Sequence, residues 1–110
     1  MPSLALSADE IARVRECLEA AANGPFFPEW EFQTLIGATR DEVRQVASAW
    51  PGPEVDQASN VGMAVNVLNN LVGYPHRASK ETWAGFIRSS PTQVGVLLRK
   101  LAASAHTASR

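Results

Sequence analysis

The longest uncharged amphipathic pattern in the chain runs from Val61 to Gly73. At about 100° per residue, Val61, Ala64, Val65, Leu68, Leu71 and Val72 share one broad apolar face, which Met63 and Val67 widen at its flank. Only Asn66, Asn69 and Asn70, with Gly62 beside them, form a polar sector. The pattern predicts a central helix with neighbours on most of its sides.

Five further helices follow from local signals. Ser7 and Glu10 form a capping box, Ile11, Val14, Leu18, Ala21 and Ala22 then recur at helical spacing, and Asn23-Gly24-Pro25 supplies the stop. The densest aromatic run comes next, Pro25 to Phe32. Within it, Pro28 suits the first turn of a short helix ending at Gly37, with Glu29 and Glu31 at its positive end. Thr39 and Glu42 form a second capping box ahead of Val43, Val46, Ala47 and Trp50, and Pro51-Gly52-Pro53 ends that helix. Beyond the central helix, Gly73 and Pro75 break the chain, and Ser79 caps a short helix carrying Trp83, Phe86 and Ile87. Ser90-Pro91-Thr92-Gln93 opens the last helix, whose buried stripe is Val94, Leu97, Leu98, Leu101 and Ala105. Residues 106–110 are small and polar and are expected to fray.

Sliding the chain by about fifty residues superimposes these signals. With an offset of 51, Leu35 falls on Phe86, Ile36 on Ile87, Thr39 on Ser90, Glu42 on Gln93, Val43 on Val94 and Trp50 on Leu101; with an offset of 50, Ile11 falls on Val61, Leu18 on Leu68 and Pro25 on Pro75. The expected fold is therefore all-α: one domain over residues 1–110, of six helices in two similar three-helix halves, about 7–50 and 56–105. The first and fourth helices should lie near a pseudo-twofold axis.

Composition and charge narrow the function classes. A chain of 110 residues with 45% hydrophobic content can bury one sizeable core. Cys17 is the sole cysteine, so no internal disulfide forms, and a reducing, cytoplasmic setting is expected. Met1 to Ser7 lacks the basic and apolar regions of a signal peptide, and no apolar stretch reaches spanning length. The net charge of −1 hides an asymmetry. Residues 1–76 hold four arginines against ten acids, a balance of −6, whereas residues 77–110 hold six cations against Glu81, or +5. The two parts are expected to complement each other inside the molecule; the sharper alternative is an acidic surface for a basic partner.

Candidate chemistry is sparse. One cysteine with His76 and His106 assembles no metal site, and neither a nucleophile elbow nor a phosphate-cradling glycine loop is present, so no cofactor is expected. Cys17 lies on the edge of an apolar stripe beside Glu16, which would raise its thiol pKa. Asn66, Asn69 and Asn70, followed by Tyr74, His76 and Arg77, could line the cleft of a small-molecule binder or enzyme; the simpler reading is that the asparagines satisfy backbone groups inside the domain. Trp30 to Trp50 and Thr82 to Leu101 each have the outline of a helix-turn-helix. Asp41 and Glu42 at the start of the would-be recognition helix oppose nucleic acid in the first, and Arg99 and Lys100 come late in the second.

Gly24 to Gly37, together with Leu68-Asn69-Asn70-Leu71-Val72-Gly73-Tyr74-Pro75-His76, resembles a pattern of small, uncharacterised all-helical bacterial proteins, a resemblance that implies no activity. In size and acidity the chain is also similar in type to bacterial immunity proteins. The expected function is non-catalytic binding of another macromolecule, a protein of basic character, with immunity-type or adaptor roles its concrete forms. Phe26, Phe27, Glu29, Trp30 and Glu31 with Glu54 and Asp56 are the expected surface: the aromatics as anchors, the acids for steering. A homodimer through the same aromatics is a further expectation.

Overall fold

These local signals become six helices in the computed structural model, which describes residues 6–50, 57–73 and 79–108, and side chains at 6–50, 60–73 and 79–103. The helices are α1 (Ala8–Asn23), α2 (Glu29–Ile36), α3 (Arg40–Ala49), α4 (Gln57–Gly73), α5 (Lys80–Phe86) and α6 (Pro91–Ala108). The described fold is all-α, with no strand among the described residues. The expected breaks at Pro51-Gly52-Pro53 and Pro75 lie outside the described residues, as do the side chains of Ala105 and His106.

The caps form as their spacing requires. Ser7 Oγ accepts from the Glu10 amide at 3.1 Å while Glu10 Oε1 accepts from the Ser7 amide at 3.0 Å. The Thr39–Glu42 and Ser90–Gln93 pairs repeat this reciprocal arrangement, and Ser79 Oγ accepts from the Thr82 amide. Each cap contributes about 1 kcal/mol by pairing a donor that the helix itself cannot. Gly37, at φ 83°, ends α2 in the left-handed region that a Cβ disfavours.

Side chains from all six helices meet in one apolar cluster, and the radius of gyration is 13.0 Å, about that of a compact chain this long. α4 runs through its middle, packed on α6, α1 and α2. Val61, Ala64, Val67, Leu68 and Leu71 are fully buried, Met63 and Val65 partly so, and Val72 at the last turn is 39% exposed, so the buried arc is narrower than the pattern suggested.

α1 and α3 are joined by polar contacts as well. No basic residue stands in the last turn of α1, although its carbonyls are a partial negative charge that needs donors. The donors come from α3. Arg40 Nη1 donates to the carbonyls of Ala21 and Ala22 at 3.2 and 3.0 Å, and Arg44 Nη2 donates to Ala22 at 3.2 Å. Arg15 returns the favour from α1, donating to the Trp50 carbonyl at the end of α3 at 2.7 Å. The two helices therefore run antiparallel, each supplying cations to the other's negative end.

Candidate interaction surface

The aromatic run divides between core and surface. A Cβ on Gly24 would lie 2.6 Å from the Ala20 carbonyl oxygen and 2.9 Å from the Phe26 ring, so only glycine permits the tight return after α1. That return carries Phe26 inward, edge-on to Trp83 at 5.7 Å and to Phe86 at 5.8 Å. Phe27 follows it, edge-on to Phe32 at 6.1 Å, with its carbonyl accepting from Arg40 Nη2 at 2.7 Å. Phe26 and Phe27, expected on the partner-facing surface, are core residues instead. They precede α2, so they escape its helical spacing and can reach the core along with Phe32.

Trp30 alone of this run is the outward aromatic, 79% exposed. Glu29 and Glu31 flank it. Glu29 is exposed and accepts from Arg40 Nε at 2.6 Å, and Glu31 is half-buried. The Arg40 guanidinium also lies 4.5 Å from the centre of the Phe32 ring. One side chain thus clamps α1, the link to α2, and α2 itself, so Trp30 is presented from a fixed seat. Glu54 and Asp56 lie outside the described residues.

The asparagines have a structural use. Asn66 Nδ2 donates to the Ile36 carbonyl at 3.3 Å, and Asn70 Nδ2 donates to the Leu35 carbonyl at 3.1 Å and to the Asn66 carbonyl at 2.9 Å. They satisfy the end of α2 from α4, the simpler of the two readings. Asn69 is exposed, and Tyr74, His76 and Arg77 lie outside the described residues.

The acids of the N-terminal part are largely engaged. Lys100 donates to Glu10 at 2.6 Å, and the Arg88 amide donates to Glu16 at 2.6 Å with its guanidinium 3.8 Å away. Both link α1 to the basic C-terminal part, as the charge asymmetry led us to expect. Asp9 and Asp41 pair within their own helices with Arg13 and Arg44, and Glu29 pairs from α2 to Arg40 of α3. Arg40, the first residue of α3, is turned inward, while Asp41 and Glu42 are exposed beside it, an arrangement that repels phosphate. Cys17 is fully buried, and burial first, then the neighbouring Glu16 charge, pushes its thiol up to about 12, so it carries no thiolate near neutral pH.

A surface feature that the linear pattern did not reveal lies at the α5–α6 turn. A mostly apolar trough of about 510 Å³ is lined by Trp83, Ala84, Ile87 and Pro91, with Lys80 and Arg88 among its polar lining. Trp83 is anchored there by donating from Nε1 to the Ser89 carbonyl at 2.7 Å. A second, polar depression of about 390 Å³ shares Arg88, Ser89 and Gln93 with the first and continues to Asp9, Arg13 and Glu16 of α1. Ser79 and Ser90 were legible only as caps. The trough depends on how α5 turns into α6, and no spacing along the sequence encodes it.

Among the described residues no group of three or more His, Cys, Asp and Glu could hold a metal ion, and no helix is long and apolar enough to cross a membrane. No family model matches the chain, and no curated protein or solved structure matches it either.

Proposed function

We propose that this protein acts by binding another protein rather than by catalysis, with Trp30 as its anchor. The observation that carries this is the 79% exposure of a tryptophan on a helix whose seat is fixed by Arg40. A large aromatic that needs no ordering on association is the residue type from which hot spots are made. Glu29 and Glu31 beside it favour a partner with a basic rim, and the immunity-type or adaptor forms of this reading are those in which that partner is a basic protein in the cytoplasm. The reading is tested by capture from native extract with tagged wild-type and Trp30→Ala chains, with and without nuclease. Loss of a stoichiometric protein in the variant is the expected result; capture that is unchanged, or recovery that vanishes with nuclease, sinks it.

We also take the chain as two similar three-helix halves. What supports this is that α1 packs on α3 as α4 does on α6, and α2 on α4 as α5 does on α1, with α1 and α4 in mutual contact. Aligned positions also match in burial: Cys17 with Val67, Leu18 with Leu68, Ile36 with Ile87, Val43 with Val94 and Trp50 with Leu101. A superposition of the two halves that fails to bring the second and third helices into register would overturn this.

A further inference from the structure

The partner's required chemistry is an apolar recess with a basic rim, and this chain carries such a recess itself. We infer that Trp30 of one copy docks into the α5–α6 trough of a second copy, an inference that rests on the reading of Trp30 as an anchor. The trough at about 510 Å³ is larger than an indole and open to solvent, and its apolar lining includes Trp83, Ala84, Ile87 and Pro91. Trp83 cannot swing into it, because its indole N–H is held by Ser89. The recess is thus preformed, and an entering ring would meet apolar carbon and an aromatic neighbour.

Charge sets the pairing. Lys80 has no ion pair among the described residues, and the Arg88 side chain is 94% exposed and only loosely paired with Glu16 at 3.8 Å. These two cations edge the apolar trough, while Trp30 stands between two carboxylates in the sequence. Glu29, although held by Arg40, keeps a side chain that is 82% exposed and that a second cation can approach. From Glu29 to Arg44 the chain holds four acids against two arginines, and from Ser79 to Ala103 it holds four cations against Glu81. Opposite signs on the anchor and the recess steer the two surfaces together and disfavour anchor-to-anchor contact. Different surfaces of the two copies meet, so a single docking makes a heterologous contact and two reciprocal dockings make an isologous pair.

Sedimentation velocity of the full chain across a wide concentration range tests this, with Trp30→Ala as the anchor variant and Lys80→Glu/Arg88→Glu as the recess variant. The wild type is expected to self-associate reversibly, and each variant to associate roughly tenfold or more weakly, as loss of a hot spot or of charge complementarity requires. The decisive sample mixes the two variants. One brings an intact recess and the other an intact Trp30, so the mixture is expected to form heterodimers that neither forms alone. Circular dichroism and unfolding midpoints near wild type establish that both variants are folded; should the recess variant unfold, Lys80→Gln takes its place. A wild type that stays monomeric, association that survives Trp30→Ala, or a mixture without rescue overturns the inference. If the wild type is monomeric yet Trp30→Ala loses a captured protein, only the second copy is rejected as partner; if Trp30→Ala changes neither result, the anchor reading fails as well.

Discussion

The α1–α3 and α4–α6 regions contain helices in the same order, long then short then a third, but their described contacts differ in kind. In the first, arginines tie helix ends: Arg40 and Arg44 reach the last carbonyls of α1, and Arg15 reaches the end of α3. In the second, α4 and α6 bury Ala64, Leu68 and Leu71 on one helix and Val94, Leu97 and Leu101 on the other. At the positions aligned with Arg40 and Arg44 the second region has Pro91 and Gly95, which offer no such reach. Similar patterning can thus be closed by directional bonds or by packed volume. Directional bonds fix the geometry around Trp30, whereas apolar contacts tolerate exchange of shape at constant volume.

The largest effect is expected in the packed region. Leu68→Ala removes a fully buried side chain from the middle of the core and is expected to cost about 4 kcal/mol in chemical denaturation, whereas Leu68→Met should cost only about 1 kcal/mol. Arg40→Ala should come next, at about 3 kcal/mol, because carbonyls at the end of α1 and in the link to α2 lose their donor. Arg40→Lys sharpens the test: one ammonium cannot span four acceptors, so less than half of the loss should be recovered. If lysine restores wild-type stability, charge alone holds this region and the directional account fails.

The two buried tryptophans carry the contrast to a single atom. Trp83 Nε1 donates to Ser89, but Trp50 Nε1 is buried with no hydrogen-bond partner among the described residues. Trp83→Phe removes a made bond and leaves the Ser89 carbonyl without that donor, an expected loss of about 2 kcal/mol. Trp50→Phe removes an unmet donor, whose relief of about 1–2 kcal/mol offsets the lost contact area, leaving a net change near zero. Equal losses in the two variants, read from denaturant midpoints, would show that ring volume governs both sites.

How much of this was legible in the sequence depends on the distance between partners. Ser7 with Glu10, Thr39 with Glu42 and Ser90 with Gln93 act across one helical turn, so their spacing revealed both the caps and the helix starts. The burial of Cys17 and the use of Asn66 and Asn70 followed from periodicity joined to the rule that buried polar groups find partners. Arg40 was not legible, because its acceptors Ala21, Ala22 and Phe27 lie elsewhere in the chain. The available clue was negative: α1 ends without a basic residue of its own to meet its last carbonyls. Phe26 and Phe27 are expected outside because so short a segment cannot turn all its aromatics to one core, whereas the Gly24 turn aims them independently of α2. The trough exists only where α5 turns into α6, and the angle of that turn is not written in any spacing along the chain.

The smallest effect concerns the link between the regions. Glu10 has its carboxyl held below the usual 4.5, first by the hydrogen bond from Lys100 and then by the Ser7 amide of its own capping box. One carboxylate therefore serves a local cap and a contact to α6. Because the folded pKa is depressed, the stabilisation is present above the unfolded value and is lost as pH falls through the folded one. Lys100→Gln should lower stability at neutral pH by an amount that shrinks in acid and in high salt, since the ammonium is half exposed. In an NMR titration the Glu10 midpoint should rise in this variant but stay below 4.5, because the Ser7 amide remains. A midpoint that does not move means the cap alone governs Glu10, and then α1 is tied to α6 by packing rather than by this pair.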